Sequence, residues 1–233
     1  MTTIATIATA PDRTALLRLL QLASPTLPVG AYAYSQGLEY AVHGGWVTDE
    51  AEAREWVLGL LNYNLANLDI PVLARLSKAW QAGDQSGVLC WTRFLRASRE
   101  TMELRAEDRS LGVALARLLT DLGIGEAKPW AAAHIVTYAT LFGLAAVRWK
   151  IPVPEAAAGY LWSWCENQVA GAIKLVPLGQ TAGQRILAHC AVAIPGAVRQ
   201  GLALADGAVG AAVPGLAIAS ARHETQYTRL FRS

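Results

Sequence analysis

Apolar residues recur at the three- and four-residue spacing of helices along most of the chain, and no stretch alternates as a half-buried strand does. The clearest case follows Thr48-Asp49-Glu50. There Trp56, Leu60 and Tyr63 make one apolar row, and Val57, Leu61 and Leu65 the neighbouring one. Acids fill the first turn of this predicted helix, where the helix dipole favours them. Arg13 to Leu22 sets Leu16, Leu19 and Leu20 on one stripe, with Asp12 as its cap. Further helices are predicted over Val72 to Trp80, closing at Gly83, then from about Gln85 to Leu95 and from about Ser98 to Asp121. Pro129 suits a first helical position and predicts a helix reaching Trp149. Pro154 starts another that ends before Pro177, Gly179 to Ile194 is shorter, and Pro195 opens the next. Arg99 with Glu103 and Arg105 with Asp108 read as pairs lacing a helix surface. The expected fold is all-α, a single-domain bundle of about ten helices without internal repeats.

The ends read differently. Residues 1–11 form a Thr/Ala-rich leader expected to be disordered, and 12–206 the helical domain. Asp206 to Ser220 is rich in Gly and Ala and short of packing groups, so 207–233 is expected to be a flexible tail that a partner orders. The final stretch, Arg222 to Ser233, carries Tyr227, Phe231, a leucine and three arginines. Such residues anchor interfaces, which favours an interaction role over a solvated tail.

Composition narrows the function. Apolar residues make up 53% of the 233 and charged residues only 16%, so a partner or a second copy is expected to cover more than one face. A net charge of +2 without a basic cluster leaves no electrostatic footprint for nucleic acid. Cys90, Cys165 and Cys190 show no CxxC spacing, which fits free thiols in a reducing cytoplasm. Ala131 to Val147 and Ala208 to Ala221 are apolar, but neither supplies the ~20 apolar residues of a membrane span.

Motifs for catalysis are absent. Neither GxxxxGK[ST] nor GxGxxG nor GxSxG occurs, and none of His43, His134, His189 and His223 lies in a metal-binding spacing. His134, among apolar residues, reads as a core histidine. The unusual segment is Ser24 to Glu39, where two prolines and glycines fix an extended connection presenting Tyr32, Tyr34, Ser35 and Glu39. Ser35 as nucleophile or Glu39 as base lacks a partner constellation. Ser35 as a helix cap within an interface loop is the better reading.

The loop also carries a resemblance. Pro28-Val29-Gly30-Ala31-Tyr32, then Ser35 and Gly37-Leu38-Glu39, is similar to the N-terminal signature of the urease accessory protein family UreF. Tyr34 stands where that family commonly has histidine, so no role of that histidine carries over. Ser98-Arg99-Glu100-Thr101 with Glu103-Leu104-Arg105 and Gly112 resembles its central helix. Lys174, Pro177-Leu178-Gly179-Gln180 and Gly183-Gln184 resemble a later motif, and His223-Glu224 with Tyr227-Thr228-Arg229-Leu230 its C-terminus. The resemblance implies an all-α homodimer working in the cytoplasm with the UreD/UreH accessory protein and the GTPase UreG to insert nickel into apo-urease. It implies no catalysis by this chain, and nickel and GTP handled by its partners. Tyr32, Ser35, Glu39, Lys174, Gln180, Gln184, His223, Glu224, Tyr227 and Arg229 are the expected partner-binding residues. Arg229 is expected to reach Tyr32 once a partner orders the tail. The alternative is a GTPase-activating regulator of UreG, with Arg222, Arg229 or Arg232 supplied in trans.

Overall fold

The computed structural model describes residues 13–233, so the leader and the Asp12 cap lie outside the described residues. Within them the chain is all-α, with ten α-helices and no strand. They are α1 (Arg13–Ala23), α2 (Leu38–His43), α3 (Glu50–Leu60), α4 (Asp69–Ala82), α5 (Gln85–Ala97), α6 (Met102–Asp121), α7 (Tyr138–Arg148), α8 (Val153–Leu175), α9 (Gln180–Ala203) and α10 (Pro214–His223). α8 and α4 lie at the centre. α8 packs on α1, α2, α3, α4, α7 and α9, and α4 on α5, α7, α8 and α9.

Caps account for many boundaries. Asp49 accepts from Glu52 N, Asp84 from Gly87 N and Thr101 from Leu104 N, so α3, α5 and α6 begin one residue after a capping side chain. Gly83, at φ 69°, closes α4 as the sequence predicts.

Four departures have local causes. The α3 pattern continues through a π-turn at Leu61–Leu65, whose extra residue shifts the helical phase; Leu61 and Leu65 stay buried while Tyr63 is turned out. The helix predicted from Pro129 divides into a 3-10 segment, Gly125–Ala132, and α7, because Thr137 is extended and caps α7 at Thr140 N. His134 falls in the break and is exposed. Pro195 opens no new helix but sits exposed inside α9, which buried Ile194, Ala197 and Val198 hold in place across the missing backbone hydrogen bond. The α1 stripe is split: Leu16 and Leu20 are exposed and Leu19 is half-buried against the core, while Ala15, Leu22 and Ala23 are buried.

α9 is long and apolar enough to cross a membrane by length and composition, yet it packs on α3, α4 and α8. Its close fit depends on Gly201, where a Cβ would lie 2.7 Å from both Ala66 O and Ile70 Cγ2. Gly59 in α3 meets nothing within 4 Å. Gly201→Ala is therefore expected to destabilise the fold by about 1–3 kcal/mol, and Gly59→Ala to stabilise it by about 0.5–1 kcal/mol, as read from chemical denaturation.

Candidate partner surface at the loop and tail junction

The segment entering α2 is shaped by its glycines. Gly30 is left-handed at φ 81° and starts a 3-10 turn, Ala31–Ala33. Gly37, at φ 78°, precedes α2, and a Cβ there would stand 3.1 Å from both Ala219 Cβ and Ser220 N of α10. Only glycine combines that backbone with so close an approach. Gln36, without that freedom, is also left-handed at φ 52°. Its side chain is fixed from two sides: Nε2 donates to Glu107 at 2.7 Å, and Oε1 accepts from Trp164 Nε1 at 2.7 Å.

In this structure residues 207–233 are folded onto this loop. The Gly/Ala-rich stretch packs through α10, whose Leu216, Ala219, Ser220 and His223 are buried. Arg75 anchors its start by bonding Asp206 and the Leu204 carbonyl. After α10 the tail is held by carboxylates. Glu39 accepts from Leu230 N at 2.6 Å and Phe231 N at 2.8 Å, and meets the His223 ring at 3.1 Å. Glu103 meets the other His223 ring nitrogen at 2.7 Å and Arg229 at 2.8 Å. Ser35 donates its N–H, at 2.7 Å, and its hydroxyl to the Ser233 carbonyl, while Arg232 N donates to the Ala33 carbonyl at 2.8 Å. The Ser233 hydroxyl donates to Glu107 at 2.8 Å. Phe231 is buried, with Lys174 Nζ 5.6 Å from its ring centroid.

The expected partner residues thus divide. Tyr32 and Tyr227 are exposed, at 71% and 103%. Ser35, Glu39 and His223 are buried and join the tail to the body. Ser35 resembles the expected cap in accepting from Glu39 N at 3.3 Å, though Gly37 occupies the N-cap position. Glu224 accepts from Met102 N and Glu103 N and so caps α6. Arg229 pairs with Glu103, a charge-assisted partner that suits its guanidinium. Lys174 lies over Phe231, and Gln180 and Gln184 are exposed at the start of α9, outside this network.

Beside the junction runs a cleft of about 170 Å³, its wall including Tyr32, Gln36, Asp69, Arg99, Glu107 and Tyr160. Arg99 and Asp108, expected on a surface, line it instead, Asp108 buried and Arg99 half-buried. Arg99 holds Asp69 with two nitrogens, at 2.6 and 3.1 Å, and donates Nε to Asp108 at 3.0 Å. Tyr160 donates to Asp69 at 3.0 Å. The predicted Arg99–Glu103 pair gives way to these contacts, and Arg105 instead donates to the Arg99 carbonyl. Burial raises the Asp108 carboxyl above its ordinary range against the pull of Arg99. It pushes Glu107 up to about 7, with nearby Asp108 adding and the Gln36 and Ser233 hydrogen bonds opposing. Sequence reading missed Gln36, Glu107 and Ser233. The available signal was Glu103 and Glu107, one turn apart on α6, with Glu107 on the same stripe as Leu104 and Leu111.

The sequence profile of the UreF family matches residues 47–191. A urease accessory protein UreF of Alkalilimnicola ehrlichii is 58% identical over 93% of this chain and 95% of its own length. The chain belongs to the UreF family of urease accessory proteins. UreF proteins of Azoarcus sp. and Pseudomonas putida (strain W619) are each 51% identical over 94% of this chain, and over 95% and 98% of their own lengths. These UreF relatives are named as accessory proteins and not as enzymes, and membership places the chain in urease maturation. Two of the four stretches that carry the resemblance in the sequence, Pro28 to Glu39 and His223 to Leu230, meet at the junction.

The Glu107 shift sets a pH dependence. The folded carboxyl titrates near 7 and the unfolded one near its ordinary 4.5, so the native state binds more protons between these values. Its contribution therefore falls as pH rises through that window. Glu107→Gln is expected to flatten the difference, by up to about 3 kcal/mol. Urea titrations of both proteins at a series of pH values read it.

Proposed function

We propose that this chain is a non-catalytic adaptor which, with the UreD/UreH accessory protein and the GTPase UreG, supports nickel insertion into apo-urease. The observation that carries this reading is the loop and tail junction. Segments from the two ends of the family pattern are fastened together by buried groups, and the same segments carry exposed Tyr32, Tyr227 and Leu230. In this reading Ser35, Glu39, His223 and Arg229 set the shape of the surface, and the exposed aromatics make the contact. Lys174 links the two roles by covering Phe231. Gln180 and Gln184 offer a second polar contact at the start of α9. Exposed Leu16, Leu17 and Leu20 on α1 support a second copy of the chain as a further partner, the complex working in the cytoplasm. Nickel and GTP are handled by the partner proteins.

Pull-down with UreD/UreH and UreG tests the surface. The full chain is expected to bind and a chain cut after Asp206 to lose binding. Tyr32→Ala is expected to weaken binding about tenfold or more without a change in melting temperature, since Tyr32 is exposed. Full recruitment and urease activation by both Tyr32→Ala and Tyr227→Ala would remove this face from the proposal. In the alternative role of GTPase activator, Arg222 and Arg232 are exposed and Arg229 is engaged by Glu103. UreG hydrolysis measured with and without this protein decides that role.

A further inference from the structure

His223 is fully buried, yet both ring nitrogens face carboxylate oxygens, Nε2 with Glu39 at 3.1 Å and Nδ1 with Glu103 at 2.7 Å. A neutral imidazole has one N–H and one lone pair, so it satisfies one of these contacts and sets a lone pair against a carboxylate oxygen in the other. An imidazolium donates to both. The charges facing the ring are Glu39 from α2, Glu103 from α6 and, through Glu103, Arg229 from the tail. Glu224, next in the chain, is engaged by the α6 backbone amides, and Glu107 lies one turn further along α6 on Gln36 and Ser233. Two carboxylates and two cations then balance in a site where neither Glu39 nor Glu103 has more than 12% of its side chain exposed.

We propose that His223 fastens the tail as an imidazolium, and that the tail unseats when the ring loses a proton. Glu39 is the shared part. Its Oε2 meets the ring and also accepts from Phe231 N, its Oε1 accepts from Leu230 N, and Phe231 is the buried apolar side chain at the end of the tail. Loss of the ring proton leaves Glu39 or Glu103 facing a lone pair. The carboxylate that moves away takes with it the Leu230 and Phe231 bonds or the Arg229 pair. The device is independent of whether the junction docks a partner, because every group in it belongs to this chain.

Hydrogen exchange of the Leu230 and Phe231 amides in the full-length protein tests it, with rates corrected for intrinsic exchange and compared with an α8 peptide. Protection is expected to fall at least about tenfold between about pH 5 and about pH 8, the span over which an imidazole goes from charged to neutral, while α8 stays protected. His223→Gln, uncharged throughout, is expected to remove the pH dependence. Glu107→Gln is expected to keep it, which separates this effect from the neighbouring carboxyl. Nitrogen-15 spectra of the wild-type histidine rings give a readout that needs no variant, with His223 doubly protonated at the acid end of the range. Tail protection that is flat across this range, the wild-type slope surviving in His223→Gln, or a neutral His223 ring at the acid end would each overturn the proposal.

Discussion

Carboxylates buried where the tail returns to the first loop impose the arrangement around them. Glu39, Glu103 and Glu107 are removed from water by the packing of α2, α6, α8 and α10, and each is costly there unless its oxygens are bonded. The tail supplies much of what they need: backbone amides for Glu39, a ring and a guanidinium for Glu103, a hydroxyl for Glu107. A second polar centre lies behind them, with Arg99 between Asp69 and Asp108 and Tyr160 on Asp69. The tail is therefore a structural part of the domain. Its contribution is polar satisfaction, with Phe231 as its apolar anchor.

Helices and their order were legible because the pattern that drives helix packing is local. Gly83, Asp49 and Asp84 act at the turn where they are read. Pro195 misled because its effect on a helix depends on whether neighbouring turns are packed. With Ile194, Ala197 and Val198 buried on either side, α9 runs through it. The packing of the tail escaped composition for a related reason. Ala219 and Gly37 are weak packing groups in isolation, but their small size lets α10 lie directly against the start of α2. Small residues counted as flexible by composition here serve close approach.

The junction was half legible. Resemblance selected Ser35, Glu39, His223 and Arg229, and the structure brings all four together. It gave no basis for separating residues that shape the site from those left on its surface, because that depends on burial. Glu107 and Gln36 escaped notice altogether. Their pairing spans 71 positions, and Gln36 takes its part from a backbone conformation that a residue type alone does not announce.

The Ser35 to Ser233 bond joins positions 198 apart in sequence. Closing so large a loop carries an entropic cost that is offset only once the helices between are in place, so the junction forms late in folding. Any protein that docks on it thereby tests whether the whole intervening bundle is assembled. A chain misfolded in α4 or α8, far from the junction itself, presents no complete surface there. The placement of the junction makes its closure a check on the integrity of the entire domain.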